Sequence, residues 1–473
     1  MFFIKQILKK AGEFVLNTMK HIHFIGIGGY GMSAIARVML EMGYTVTGSD
    51  VAQQDLTEKL RAKGATIHIG HDEAYVGDAD TVVYSTALPK DNVERVAAEA
   101  RGIPVLHRSE MLARLLNAKK GVAVAGAHGK TTTSSMIAYV LERCGVDPSF
   151  IIGGEVTNLG TNAKAGASEF VVAEADESDG SFLAYHPHIA VVTNIEADHL
   201  ENYGGDFERL KAAYVQFLSQ VEAGGTAVVC KDDTIIRDMI PAISSNVVTY
   251  GLEAEADYTA VDITARDRFM YFTMKHGDEV LGQVELSIPG NHNVLNAMAT
   301  LIVSMQAGVA FADAAAAIRD FTGAKRRYQI IADYKDVLVI DDYAHHPTEI
   351  EATLVAAKAT GKRIVAVFQP QRYSRTYFLF EQFSGAFGDA QEVIITDIYS
   401  PAGEKPIEGV HASALVERIR ELSNTNTRYI PTKEEVQVYL EKHIQPGDMV
   451  LTMGAGDIWR VAYHLAEHLK SEQ

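Results

Sequence analysis

Two glycine-rich turns, each set directly after a short apolar run, constrain this chain more than anything else in it. The first ends the run that begins at His21 and includes Gly26, Gly28, Gly29 and Gly31. It leads into a helical pattern from Ser33 to Met42 and a second strand pattern from Tyr44 to Gly48. The second follows Val122 to Ala125 and reads Gly126-Ala127-His128-Gly129-Lys130-Thr131-Thr132. Strand, tight turn and helix in that order form half of a βαβ unit, and repeating it winds a parallel sheet with helices on both faces. Further apolar runs at Thr81–Tyr84, Ile103–Leu106, Phe170–Ala173 and Ile189–Thr193 fit that rhythm, as do Val337–Ile340, Ile364–Phe368, Val393–Thr396 and Met449–Met453. At ~100 to 200 residues per domain, a chain of this length predicts about three domains. The polar stretch Asn117 to Lys120 and the segment Gly323 to Arg327 are the natural boundaries.

The two turns suit phosphate. Gly26, Gly28 and Gly31 form Gly-x-Gly-x-x-Gly, and Asp50 closes the next strand. Glycines let the backbone approach a pyrophosphate at a helix N-terminus, and an acid at the end of the second strand can accept a ribose hydroxyl. NAD satisfies that geometry, and so does any diphosphate-linked nucleoside; close packing of strand on helix is the structural alternative. The second turn resembles a P-loop, in which backbone N–H groups cradle phosphates, Lys130 neutralises the outer ones and the Thr131 hydroxyl reaches Mg²⁺. Its spacing departs from the general form, since only two residues separate Gly126 from Gly129.

Ligands of an open α/β sheet bind at the carboxyl ends of its strands. Two runs end in polar clusters there, Glu174-Ala175-Asp176-Glu177-Ser178-Asp179 and Asn194-Ile195-Glu196-Ala197-Asp198-His199. The crowded carboxylates suit a divalent cation, although a solvated acidic loop has the same composition. Farther on, Pro289-Gly290-Asn291-His292-Asn293 opens a helix that sets Asn293 and Asn296 on one face, either to read an adenine edge or to cap the helix. Asp341-Asp342-Tyr343-Ala344-His345-His346-Pro347 follows one late strand, and Gln369-Pro370-Gln371-Arg372-Tyr373-Ser374-Arg375 follows another. Two arginines three residues apart suit a carboxylate or phosphate clamp, with exposed surface charge as the alternative.

With 43 basic and 61 acidic residues the net charge is −18, which argues against nucleic acid or an anionic membrane as partner. A phosphate-bearing substrate must therefore meet local positive potential. Cys144 and Cys230 are too few for a disulfide framework or a thiolate zinc site, so a cytoplasmic setting is expected. No run reaches the ~20 apolar residues that span a membrane. Residues 2 to 16 place Phe3, Ile7, Leu8, Ala11 and Val15 at helical spacing, with Lys5, Lys9 and Lys10 interrupting any signal-peptide core. They read either as a short amphipathic helix or as sequence upstream of a true start at Met19.

In this order, from about Lys20 to near the C-terminus, the motifs resemble those of the Mur ligases of peptidoglycan synthesis. The specific parts are His23-Phe24-x-Gly26-Ile27-Gly28-Gly29-x-Gly31-Met32-Ser33, the short loop ending Gly129-Lys130-Thr131-Thr132, the Glu174 and His199 clusters, and the two late motifs. Ala127 stands where Thr is usual, a change that leaves the backbone cradle intact. The resemblance implies an α/β chain of three domains: a Rossmann-like UDP-binding domain (19–119), a central P-loop ATPase α/β domain (120–325) and a Rossmann-like, amino-acid-binding C-terminal domain (326–473). Residues 1–18 fall outside it. It implies that the first turn holds UDP instead of NAD, through Gly26, Gly28, Gly29, Gly31 and Met32, with Asp50, His71, Ser85 and Thr86 as further contacts. ATP falls to Gly126, Ala127, His128, Gly129, Lys130, Thr131 and Thr132, together with Asn293, Asn296 and Arg327; Arg326 is the competing choice for the last. Thr131, Glu174 and His199 fall to Mg²⁺, with Mn²⁺ as a substitute. Tyr343, His345, Arg372 and Arg375 fall to the incoming amino acid and the reacting carboxylate.

The implied substrates are UDP-N-acetylmuramate and L-alanine, joined through an acyl phosphate. Lys130, His199, His345, Arg372 and Arg375 are the expected catalytic groups, and either histidine could take the amine's proton. Monomer and homodimer remain equally open. Three readings compete. A ligase that recycles a murein tripeptide shares most motifs but carries Tyr where Ser178 stands; an NAD-dependent oxidoreductase explains only the first turn; and a nucleotide-binding switch of the GTPase kind lacks its Asn-Lys-x-Asp guanine reader at Asn194–Asp198.

Overall fold

The structure is a computed structural model that describes residues 19–253, 255–266, 269–400 and 404–471. The helix or alternative start read from residues 2 to 16 lies outside the described residues. Three sheets follow one another along the chain. The first takes β1 (His21–Ile25), β2 (Thr45–Asp50), β3 (Thr66–Ile69), β4 (Thr81–Tyr84) and β5 (Val105–His107) in the order β3-β2-β1-β4-β5. All neighbours are parallel, with Ile22 opposite both Val46 and Thr81. The chain therefore reverses its direction of winding beside β1, and that reversal opens a crevice at the carboxyl ends of β1 and β4.

The second sheet takes β6 (Lys120–Ala125), β7 (Ser149–Val156), β8 (Thr161–Lys164), β9 (Phe170–Glu174), β10 (Ile189–Val192), β11 (Thr226–Cys230), β12 (Val247–Gly251), β13 (Tyr258–Arg266), β14 (Phe269–His276) and β15 (Glu279–Leu286). Their order is β15-β14-β13-β12-β11-β10-β6-β9-β7-β8. Strand β6 lies between β9 and β10, parallel to both, with Ala125 opposite Val192 and Val124 opposite Glu174. That register delivers the ends of three strands, and the loops after them, to one place. Val122, Ala123, Val124 and Ala125 are each fully buried, as befits a parallel strand covered on both faces.

The third sheet takes β16 (Gln329–Tyr334), β17 (Val337–Asp342), β18 (Arg363–Phe368), β19 (Glu392–Ile395), β20 (Thr427–Tyr429) and β21 (Asp448–Met453) in the order β16-β17-β21-β18-β19-β20. Only β16 is antiparallel to its neighbour. Asp342 and Phe368 both lie opposite Met453, so β17 and β18 end at one level on either side of β21.

The chain divides into two compact units. One runs to Asp262 and includes Phe272–Glu285 and Leu295–Phe321; the other comprises Ile263–Tyr271, Leu286–Val294 and the chain from Thr322. The first sheet and the second, apart from parts of β13, β14 and β15, thus share a unit. Within it, the Arg37 guanidinium donates to Thr161 Oγ1 at 2.5 Å, and Ala165 N–H donates to the Glu41 carboxylate at 2.9 Å. The strands read from apolar runs agree with the structure to within one or two residues, whereas β3, β7, β8, β11 to β16 and β20 fall outside those runs.

Candidate functional site

The first turn is held by its own backbone. Gly26 (φ +76°) and Ile27 both donate N–H to Ser49 O, at 2.8 and 3.0 Å. Gly28 N–H donates to Asp50 Oδ2 at 2.8 Å, and a Cβ on Gly28 would sit 2.8 Å from that same oxygen. Asp50 is therefore a brace of the turn as well as a candidate for ribose. The helix Tyr30–Glu41 opens with neither a side-chain cap nor an acidic residue, which leaves its first amides open to an anion. Met32 is 2% exposed, and its buried side chain packs beneath the turn, with Cγ 3.7 Å from where a Cβ of Gly29 would be. Thr86 Oγ1 lies 3.0 Å from His107 Nε2, and His71 Nδ1 lies 2.6 Å from Glu94.

Arg108 escaped the sequence reading. Its guanidinium lies 3.4 Å from where a Cβ of Gly31 would be, and 3.5 Å from Asp176 Oδ2. It sets a positive charge between the glycine turn and the acidic loop. No motif announces it, since a single Arg at the start of a helix is common.

At the second turn, Gly126 (φ +134°) and Gly129 (φ +84°) adopt conformations that other residues rarely take. Ala127 N–H donates to Asn194 O at 3.0 Å and His128 N–H to Asn194 Oδ1 at 2.8 Å, while Thr193 Oγ1 donates to His128 O at 2.6 Å. Two of the amides expected to cradle phosphate thus fasten the loop to the segment after β10. What remains is the N-terminus of the helix Lys130–Arg143, which has no side-chain cap and no acid in its first turn. The candidate anion site narrows accordingly to Gly129–Thr132.

Lys130 Nζ donates to the Glu177 carboxylate at 2.8 Å, to Ala127 O at 3.3 Å and to Gly126 O. Burial alone would push its ammonium down, but Glu177, with Asp176 and Glu174, holds it above its ordinary value. Glu177 itself is buried, and its Oε2 has no hydrogen-bond partner among the described residues. Beside this pair, Thr131 Oγ1 donates to Glu174 Oε2 at 3.2 Å, and Gly153 N–H and Ser134 Oγ hold Glu174 Oε1 at 2.7 and 3.3 Å. Hydroxyl and carboxylate oxygens in this number suit a hard divalent cation. His199 takes a left-handed conformation (φ +55°), and its ring contacts are with Asp198 at 3.5 Å and Glu201 at 3.8 Å. Its turn is tied to the acidic loop by Asn202 Nδ2, donating to Ser178 O at 2.7 Å, and by Tyr203 Oη, donating to Glu177 O at 2.5 Å. Asn296, on the helix Asn291–Gln306, accepts from Thr133 Oγ1 at 3.1 Å and so abuts the P-loop helix.

In the second unit, Asn293 Nδ2 donates to Pro289 O at 2.6 Å, a bond within its own helix start. The two adjacent arginines separate cleanly. Arg326 donates to Asp341 at 3.0 Å, to Gly456 O at 3.0 Å and to Gly454 O at 2.5 Å, which commits it to the fold. Arg327 has only a loose contact with Glu349 at 3.8 Å and, like Arg326, stacks over the Tyr343 ring. His345 Nδ1 lies 2.9 Å from Tyr343 O, and burial lowers its pKa to about 4. An imidazole so weakly basic is neutral at pH 7 and suits accepting a hydrogen bond from an amine better than removing its proton. Burial also raises Asp342 to about 7. Arg372 (φ +68°) precedes the short helix Tyr373–Phe378, and Arg375 donates to Gln371 Oε1 at 3.0 Å. Glu404, also missed, accepts from Tyr373 N–H, Ser374 N–H and Ser374 Oγ and fixes that helix start.

Comparison with known proteins covers nearly the whole chain. Residues 21–120 match the model of the Mur ligase catalytic domain, 124–304 the Mur ligase middle domain, and 326–456 the Mur ligase glutamate ligase domain. A UDP-N-acetylmuramate–L-alanine ligase of Pelotomaculum thermopropionicum is 50% identical over 97% of this chain and 99% of its own length. One from Geotalea uraniireducens is 48% identical over 96% and 99%. Among solved structures, the UDP-N-acetylmuramate–alanine ligase of Thermotoga maritima superposes with a TM-score of 0.80 at 29% identity, over 96% of this chain and all of that one. A murein peptide ligase of Psychrobacter arcticus gives 0.68 at 25% identity, over 96% and 99%. With three consecutive domain matches on three successive sheets, the chain belongs to the Mur ligase family.

Proposed function

We propose that this chain joins L-alanine to the lactyl carboxylate of UDP-N-acetylmuramate at the expense of ATP, giving UDP-N-acetylmuramoyl-L-alanine, ADP and phosphate for peptidoglycan precursor synthesis. The observation that carries the reading is the likeness, over nearly the full length of both chains, to relatives that bear this activity in their names. The site chemistry agrees with it.

A carboxylate is a poor electrophile, so the γ-phosphoryl group of ATP is first transferred to it, giving an acyl phosphate. The amine of L-alanine then attacks, and a tetrahedral oxyanion collapses to amide and phosphate. Little covalent work falls to the protein, which must position the reactants and offset developing charge. Lys130 meets the outer phosphates once it releases Glu177, and the amides from Gly129 to Thr132 meet the others. Thr131 and Glu174, with His199 carried over from the family resemblance, would hold Mg²⁺, which supplies Lewis-acid charge at the phosphates. Gly26 to Gly31 and Arg108 take the UDP diphosphate. By the family resemblance Arg327 serves ATP, Arg372 and Arg375 serve the carboxylates, and His345 Nε2 accepts from the amine. Both nucleotide substrates are cytoplasmic metabolites, and among the described residues no helix is long and apolar enough to cross a membrane.

The test is phosphate release from ATP with UDP-N-acetylmuramate, comparing L-alanine, glycine, L-serine and a murein tripeptide. L-Alanine is expected to stimulate most. Stimulation by the tripeptide alone would transfer the chain to the recycling ligases.

A further inference from the structure

One buried carboxylate gathers side chains from three other segments of the first sheet. Glu94 Oε2 lies 2.6 Å from His23 Nε2 and accepts from Ser49 Oγ at 2.8 Å, and Oε1 lies 2.6 Å from His71 Nδ1. His23 is on β1, Ser49 on β2, His71 just beyond β3, and Glu94 in the first turn of the helix after β4, where Asn92 Oδ1 accepts its N–H at 3.0 Å. The side chains of His23 and Glu94 are wholly buried, whereas that of His71 is 22% exposed.

Burial by itself would raise the Glu94 carboxyl, but hydrogen bonds from His23, His71 and Ser49 hold it below the usual carboxylate range. An ionised carboxylate only accepts, so each imidazole nitrogen facing it must carry a hydrogen. The far side of His23 agrees. With its proton on Nε2, Nδ1 is an acceptor, and Thr47 Oγ1 lies 2.8 Å away with a hydrogen to give, itself 2.9 Å from His21 Nε2. For His71 the same logic puts the hydrogen on Nδ1. A neutral ring then has its lone pair on Nε2, which makes no hydrogen bond among the described residues, on a side chain that is partly exposed.

We propose that Glu94 is a positioning residue that fixes His71 as the Nδ1–H tautomer, so that His71 Nε2 accepts a hydrogen bond from the N3–H of uracil and selects uridine over cytidine nucleotides. This rests on the reading that the UDP-sugar occupies the crevice at the carboxyl ends of β1 and β4. Uracil carries a hydrogen on N3, whereas cytosine carries a lone pair there. Two lone pairs facing each other lose a hydrogen bond and leave both groups desolvated, which is a stronger source of selectivity than shape alone. The opposite tautomer would present Nε2–H and favour cytosine. A network that served only to hold the fold would treat the two bases alike.

The experiment is calorimetric binding of UDP and of CDP to the full chain and to His71→Ala, Glu94→Gln and Glu94→Asp variants, with imidazole ¹⁵N shifts of His71 in the wild-type protein. The wild type is expected to favour UDP by about tenfold or more. His71→Ala should collapse that ratio. Glu94→Gln should collapse or invert it, because its amide can donate to Nδ1 and release the other tautomer, and Glu94→Asp should restore part of it. Equal binding of UDP and CDP by the wild type, an equal loss for both nucleotides in His71→Ala, or ¹⁵N shifts showing Nε2–H would each overturn the proposal. The His71 measurements decide it even where a Glu94 variant does not fold. A wild-type chain that binds neither nucleotide overturns the crevice reading, and the tautomer proposal with it, whereas equal binding overturns the proposal alone.

Discussion

At the scale of single residues, the site is a set of charges held in place by opposite charges. Lys130 is buried and kept charged by Glu177, so its removal leaves a carboxylate without its counterion and, on the proposed function, the ATP phosphates without theirs. Lys130→Ala is expected to abolish ADP formation in a steady-state assay, while circular dichroism shows a folded chain. Near-normal turnover would sink the P-loop assignment. A different effect attends Asp342, whose carboxyl burial raises to about 7 from an ordinary value near 3.8. Below that ordinary value both folded and unfolded chains hold the proton, and the acid's contribution to stability is fully present. Between about pH 4 and 7 the folded chain keeps a proton that the unfolded chain has released, so this contribution falls as pH rises through the window. Asp342→Asn cannot titrate. Its denaturation midpoint relative to wild type should therefore climb from pH 4 to 7.5, and parallel profiles for the two proteins would refute the raised carboxyl.

At the scale of elements, most of what matters is how strand ends are brought side by side. The loops after β6, β9 and β10 were legible because each follows an apolar run and carries its own chemistry, in Gly126 to Thr132, Glu174 to Asp179 and Asn194 to His199. Their adjacency was not legible, since it depends on β6 lying between β9 and β10, and strand order leaves no mark on local sequence. For the same reason the clasp of Asn194 on the amides of Ala127 and His128 was not legible, nor was the commitment of Arg326, and not Arg327, to Asp341, Gly454 and Gly456. Arg108 and Glu94 stayed hidden because their partners lie 68 and 71 positions away along the chain. The clasp makes a sharp demand on Gly126. A Cβ there would fall 2.1 Å from Thr193 Oγ1, on a backbone at φ +134°. Gly126→Ala is expected to cost about 3 kcal/mol, from strain and displacement of Thr193 together. Urea titration would read the loss, and an unshifted midpoint would mean that the loop relaxes freely.

At the scale of the whole molecule, the chain carries a net charge of −18 yet must bind two nucleotides and two carboxylates. On the proposed function, the groups assigned to those substrates are divided between its compact units. The glycine turn, Arg108 and Lys130 belong to the first, and Arg327, Arg372 and Arg375 to the second. Since the exposed acids act mainly through long-range, salt-screened repulsion, each substrate's affinity is set by the few cations close to it. Damage in one unit should then fall on the substrate that unit serves. Arg375→Ala removes a guanidinium from the second unit without touching the turn that is proposed to hold UDP. The Michaelis constant for L-alanine is expected to rise by about tenfold or more, the loss of one charge-assisted hydrogen bond to a carboxylate. The dissociation constant for UDP-N-acetylmuramate, measured by calorimetry without ATP, should stay within about twofold of wild type, which is the scatter of such a null effect. Equal losses for both substrates would show that Arg375 supports the assembly as a whole, and would remove it from the amino-acid site.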